Sequence, residues 1–178
     1  EGKKTKEISR SHKLIREKSG LITIIGGKWT TYRKMAQDTL DLAIRYMHIP
    51  TKDCITERYQ IHGSRKNPDF SDPLYVYGTD ADEIRNLVAS SPAMAEKLHP
   101  DYAYTVGEVT WLVRNEMPRT LEDVLARRLR ILFLDARAAM AMAPKVAGIL
   151  ATEWGKDETW TSAQVKAFNE VASNYILN

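Results

Sequence analysis

The sequence predicts a mainly α protein: a helical bundle at the C-terminal end, preceded by a short strand–turn–helix segment of α/β character. Three observations lead there. Beyond Gly78 the apolar residues recur at helical spacing. Leu21-Ile22-Thr23-Ile24-Ile25 is a continuous, β-branched run bounded by Ser19-Gly20 and Gly26-Gly27, which reads as a strand. Between the two regions, Gly63, Pro68, Pro73 and Gly78 fall among polar and aromatic residues with no clear period. The expected organisation is a strand–turn–helix body over 1–49, a connector over 50–79 and an all-helical domain over 80–178.

His12-Lys13-Leu14-Ile15-Arg16 suits a first short strand and Leu21–Ile25 a second. A continuous apolar strand is normally covered on both faces, so this front segment reads as a piece of a larger sheet. From Thr30 to Met47 the pattern is helical, with Met35, Leu42, Ala43 and Tyr46 near one face, Thr30 as a candidate N-cap and Pro50 marking the end. Within the connector, Tyr75-Val76-Tyr77 is expected to be extended. Asp80 with Glu83 and Thr161 with Gln164 have the spacing of capping boxes, and Ser91-Pro92 that of a cap followed by proline in the first turn. Apolar stripes follow: Val106, Val109, Val113 and Met117; Leu121, Val124, Leu125 and Leu129; Val146, Ile149 and Leu150; and Val165, Phe168, Ala172 and Tyr175. Pro144 is expected to split the segment after Asp135 into two helices. The bundle should contain five to seven helices.

Composition narrows the function classes. With 178 residues, 43% apolar and 28% charged, the chain has the make-up of a soluble globular protein rather than a disordered one. One cysteine, Cys54, excludes a disulfide framework and a multi-cysteine zinc site, and is read as an ordinary thiol. The first residues are charged and resemble no secretory leader, and the run Ile131 to Leu150 is too interrupted to cross a bilayer. The net charge of +3 is uneven: residues 1–49 carry eleven Lys and Arg against five Asp and Glu. Any anionic partner therefore belongs to the front, while the overall excess is too small to make nucleic-acid binding the default.

Gly26-Gly27-Lys28-Trp29-Thr30-Thr31, set between a strand and a helix, is the most informative stretch. Glycines permit close approach of a ligand to backbone, and a first helical turn offers N–H groups and partial positive charge. Lys28 and the hydroxyls of Thr30 and Thr31 add donors, so the turn suits a phosphate or an electron-rich carbonyl. The plain alternative is a strand–helix turn and nothing more. The spacing excludes a Walker A loop, because Ile22 and Trp29 occupy positions that need glycine and a hydroxyl residue. His12, His48, His62 and His99 are isolated and read as surface or packing residues. Arg128 falls near an apolar stripe and calls for an acidic partner such as Glu108, Glu116 or Glu122. Trp111, Trp154 and Trp160 read as packing residues, since no basic–aromatic alternation surrounds them.

Ser9-Arg10-Ser11-His12, the run from Ser19 to Arg33, Trp111-Leu112-Val113-Arg114-Asn115-Glu116, the segment from Thr120 to Ala139 and Ala143-Pro144-Lys145-Val146-Ala147 together resemble a known family. It is that of the FAD-dependent glycerol-3-phosphate dehydrogenases and oxidases of the respiratory type. The resemblance covers nearly the whole chain, and it implies that the front is the last strand, turn and helix of an α/β FAD-binding domain. The family's Gly-x-Gly-x-x-Gly fingerprint does not occur, so the sequence resembles the C-terminal third of such an enzyme.

The resemblance further implies oxidation of sn-glycerol 3-phosphate to dihydroxyacetone phosphate, with electrons passed to quinone or, in the oxidases, to oxygen. FAD is the implied cofactor, held by Gly26, Gly27, Lys28, Trp29 and Thr30. Arg10, Lys28 and Thr30 are the implied substrate contacts, with Arg10 and Lys28 on the phosphate. The catalytic base is not named, and the fragment alone is expected to be inactive. A cytoplasmic location, or one peripheral on the inner face of the cell membrane, follows from the resemblance; oligomeric state is left open. The competing reading is a stand-alone helical interaction module, which leaves the Gly-Gly-Lys turn unexplained.

Overall fold

A computed structural model describes residues 11–50 and 52–176. It divides into two compact units, Glu1–Ile61 and His62–Asn178.

The first unit is a hairpin and a helix. Strand β1 (His12–Arg16) pairs antiparallel with β2 (Ile22–Gly26), Leu14 opposite Ile24. A short 3-10 turn, Trp29–Thr31, leads into α1 (Tyr32–Met47). The helix ends before Pro50 is reached, at His48, whose left-handed backbone (φ +52) closes the last turn onto the Ile44 carbonyl. Polar contacts tie the helix to the hairpin: the His12 ring lies 2.9 Å from an Asp38 oxygen, and the Arg16 guanidinium sits 3.5 Å over the Tyr46 ring. Lys34 pairs with the other Asp38 oxygen, and its hydrogen bond holds that carboxyl below its usual range. No described residue of this unit is fully buried; Ile25 is 49% exposed. The β-branched run of β2 is thus not enclosed by the residues around it.

The second unit is helical: α2 (Ala81–Ala89), α3 (Pro92–Ala95), α4 (Val106–Asn115), α5 (Ile131–Leu134), α6 (Ala136–Trp154) and α7 (Glu158–Ser173). A single isolated bridge, Lys97 to Thr105, is the extended pairing among its described residues. The core is built from Ile84, Val109, Leu112, Leu121, Leu125, Ile131, Leu132, Met142, Val146, Leu150 and Phe168, one face from each principal helix. No described helix is long and apolar enough to cross a membrane.

Several expectations are corrected here. Pro144 does not split the last long segment. α6 runs 19 residues through it, because Met142, Ala143, Val146 and Ala147 on either side are buried and hold the helix in place. Neither expected capping box forms. The Asp80 carboxylate meets the His62 ring at 2.8 Å instead, and Glu83 accepts from the Trp111 indole N–H. α7 starts earlier, at an Asp157 cap, and Gln164 instead accepts from the Leu121 amide on another element. The working box is Thr120 with Asp123, each side chain accepting from the other's backbone N–H. Tyr75-Val76-Tyr77 is not extended but begins a 3-10 segment, Tyr75–Asp80. Met117 and Tyr175 fall off their stripes and are exposed, since α4 and α7 end before them. Ser91 does cap α3 through Met94.

Of residues 62–79, Leu74 and Tyr77 pack against the helical core. Gly78 has φ +56 and lies so close to Gly63 that an added Cβ would stand 1.6 Å from the Gly63 oxygen. Between Asp123 and Arg128 the chain takes a π-helical turn, with the Leu129 amide reaching back to Val124. Arg128 there bonds Glu116 at 3.2 Å and the carbonyls of Glu116 and Asp123, which gives it the acidic partner the sequence calls for.

Glu108 is 4% exposed and its carboxylate accepts from the Tyr77 hydroxyl at 2.7 Å. Burial pushes this carboxyl up to about 7, against the two hydrogen bonds from Tyr77 and Thr105 that pull it down. The folded chain therefore keeps a proton that the unfolded chain releases near the ordinary value of 4.5. Stability is lost as pH rises through that window, about 3 kcal/mol in all, and the loss levels off above it. Glu108→Gln should remove this slope, so that its stability relative to the parent rises between pH 5 and pH 8 in urea unfolding. Parallel pH profiles of the two proteins would count against a buried neutral Glu108.

Candidate functional site

The turn after β2 is built by backbone geometry. Gly26 and Gly27 both have φ +81, and Lys28 returns to extended backbone before the 3-10 turn. The glycine at 27 also answers to packing, because an added Cβ would meet the Met35 sulfur at 2.4 Å. Thr30 is not the N-cap. Lys28 precedes the 3-10 turn and Thr31 precedes α1, because the chain enters the helix through one tight turn.

The hydroxyl of Thr31 is spent inside that turn, donating to the Lys28 carbonyl at 2.9 Å and accepting from the Lys28 amide at 3.1 Å. It is thus unavailable to a ligand, contrary to the sequence reading. Lys28, Trp29 and Thr30 are exposed, Trp29 by 87%, its ring tilted against Tyr32 at 5.8 Å. The Lys28 ammonium has no counter-ion among the described residues, and the amides of Trp29 and Thr30 open the helix without an acceptor there. Arg10 lies outside the described residues.

The structure thus brings Gly26, Gly27, Lys28, Trp29 and Thr30 to one open surface, with one unpaired cation, two N–H donors and an exposed indole. That set fits an anion, or the electron-rich carbonyl edge of a flavin, approaching along the glycines. No carboxylate or imidazole of the described residues is hydrogen-bonded into it; His12, one strand away, is committed to Asp38. The Thr31 bridge and the Met35 sulfur beneath Gly27 were not readable from the residues, since both depend on how tightly the turn closes.

Cys54 is exposed, 3.0 Å from the Thr56 hydroxyl, which in turn accepts from Arg33. That hydrogen bond, with the nearby Arg33 charge, holds the thiol below its usual range, so it is somewhat more acidic than an ordinary thiol.

Comparison with known proteins bears on the same stretch. A family model described as the C-terminal domain of alpha-glycerophosphate oxidase matches residues 21–161, which includes the glycine turn and most of the helical unit. The glycerol-3-phosphate dehydrogenase, mitochondrial, of Arabidopsis thaliana is 31% identical over 97% of this chain and 34% of its own length. Its namesake from Mesocricetus auratus is 30% identical over 97% of this chain and 26% of its own. A Caenorhabditis elegans protein named "Probable glycerol-3-phosphate dehydrogenase, mitochondrial" is 34% identical over 98% and 26%. The chain thus spans between a quarter and about a third of the length of these relatives. A match of this extent, over both the turn and the bundle, shows that the chain belongs to the family of the alpha-glycerophosphate oxidase C-terminal domain.

Proposed function

We propose that the chain forms the C-terminal part of an FAD-dependent enzyme that oxidises sn-glycerol 3-phosphate to dihydroxyacetone phosphate and passes the electrons to a quinone. The observation that carries this reading is the open Gly26-Gly27-Lys28 turn, with an ammonium and two amides that no described residue partners, inside a chain of this family. FAD, when bound, accepts the hydride from the secondary alcohol carbon. Lys28 and Arg10 hold the substrate phosphate, and Thr30 lies beside Lys28. The Trp29 and Thr30 amides meet the flavin's carbonyl edge and stabilise negative charge there. A quinone acceptor, being lipid-soluble, goes with a peripheral position on a membrane surface. Oxygen is the second reading for the acceptor, favoured by the description of the matching family as an oxidase domain. Peroxide formed in step with substrate oxidation supports oxygen; reduction of a soluble quinone analogue without peroxide supports quinone.

In the enzyme extended by its upstream residues, Lys28→Ala should lower kcat/KM for glycerol 3-phosphate about ten- to a hundredfold while FAD content stays near normal. A change within about twofold would remove Lys28 from the phosphate site. Gly27→Ala acts differently: the φ of +81 and the Met35 sulfur oppose any side chain, so the turn itself should loosen. Faster hydrogen exchange at the β2 amides is the expected readout, and unchanged exchange would sink that account. The 178-residue chain alone should purify colourless, because an exposed turn cannot bury a flavin. Stoichiometric flavin absorbance in that preparation would contradict it.

A further inference from the structure

A second ligand-shaped feature lies wholly within the helical unit, away from the glycine turn in sequence. It is a cleft lined by Val113, Met117, Arg119, Trp154, Lys156 and Trp160. α6 ends at Trp154, and Gly155 (φ +63) turns the chain so that α7 begins three residues later. This reversal sets the Trp154 and Trp160 rings near-perpendicular, 79° apart in plane with centroids 5.8 Å apart. Across from them α4 stops at Asn115. Met117 then takes φ +46, a left-handed conformation uncommon for a long side chain, and stands 77% exposed with Pro118 buried next to it.

The charges around the cleft are unequal in their commitments. Arg119 and Lys156 are exposed, and neither side chain has an ion-pair partner among the described residues. Of the acids nearby in sequence, Glu153, Asp157 and Asp123 are engaged elsewhere, whereas Glu158 has no ion-pair partner among the described residues. Glu153 takes both arms of Arg114 at 2.8 and 2.7 Å, and Asp157 accepts the Trp160 amide at 2.8 Å. Asp123 accepts the amides of Arg119 and Thr120 and pairs with Arg127, and Glu158 lines a separate groove along α7. Two indoles alone would welcome a cation, but Arg119 and Lys156 in the same cleft repel one. An anion that carries a flat apolar ring satisfies both the indoles and the cations.

We propose that the Trp154–Trp160 cleft binds a planar aromatic phosphate, of the nucleotide class, with its ring against the indoles and its phosphate at Arg119 and Lys156. The site is formed by residues of the helical unit alone and does not depend on the function proposed for the glycine turn. Sequence alone gave no hint of it, because Arg119 and the two tryptophans are brought together only by the ends of three helices.

The 178-residue chain contains four tryptophans, each with one indole N–H signal that a Trp→Phe variant assigns. Adenosine monophosphate is the probe, with adenosine and inorganic phosphate as its two halves. Titration should shift the Trp154 and Trp160 signals saturably and leave Trp29 and Trp111 in place. Each half alone should bind about tenfold more weakly or worse, and Arg119→Ala with Lys156→Ala should weaken the probe by about tenfold or more without changing Tm. Absence of any Trp154 or Trp160 shift at millimolar probe overturns the proposal. So does undiminished binding in the double variant, or inorganic phosphate binding as well as the nucleotide. A response of Trp29 alone would place the nucleotide at the glycine turn and equally overturn it.

Discussion

The buried hydrogen bond from Tyr77 to Glu108 is the contact on which the helical unit depends. Glu108 lies on the buried face of α4, and an acidic group there is tolerated because it is hydrogen-bonded and because burial raises its carboxyl to about 7. Tyr77 arrives from the 3-10 segment and stacks its edge on Trp111, one turn further along α4. The Trp111 indole in turn donates to Glu83 on α2. These two hydrogen bonds tie the Tyr75–Asp80 segment and α2 to α4, and the apolar residues close around them. Replacing it with apolar contacts would lose the direction that a short O–H to carboxylate bond imposes.

The front unit follows a different logic. Its described residues bury no side chain completely, and its cohesion comes from the hairpin ladder, the Asp38 cluster with His12 and Lys34, and Arg16 on Tyr46. A two-stranded hairpin with one helix is marginal in water, which sets this unit apart from the bundle. The same openness is what makes the Lys28 turn accessible. A turn enclosed by its own unit could not offer an unpaired ammonium and two amides to a ligand.

Where the sequence reading succeeded, the determining forces were local. β1, β2, the helix after Thr31, the Ser91-Pro92 cap and the α6 stripe, with the stripes of α4 and α7 short of Met117 and Tyr175, each follow from residues a few positions apart. Where it failed, a distant partner had won. Asp80 was drawn to His62, Glu83 to Trp111 and Gln164 to the Leu121 amide, so none was left to cap its own helix. Pro144 was overridden by the burial on both sides of it. Local propensity is worth up to about 1 kcal/mol at an ordinary position and about 3 kcal/mol for a mid-helix proline, whereas each buried large apolar side chain contributes about 1.5–3 kcal/mol and a face carries several.

By itself the sequence determined the mainly helical class, the two short strands before the glycine turn, and Arg128's need for an acid. These follow from chain stereochemistry and the cost of burying an unpaired charge. Only the tertiary structure decided which hydroxyl the turn consumes, which residue underlies Gly27, where the working capping box lies and that Glu108 would be buried against the Tyr77 hydroxyl. It alone set Arg119 and Lys156 beside Trp154 and Trp160. The turn and the capping box depend on how tightly near neighbours close, and the Tyr77–Glu108 bond on residues 31 apart, and side-chain periodicity encodes neither.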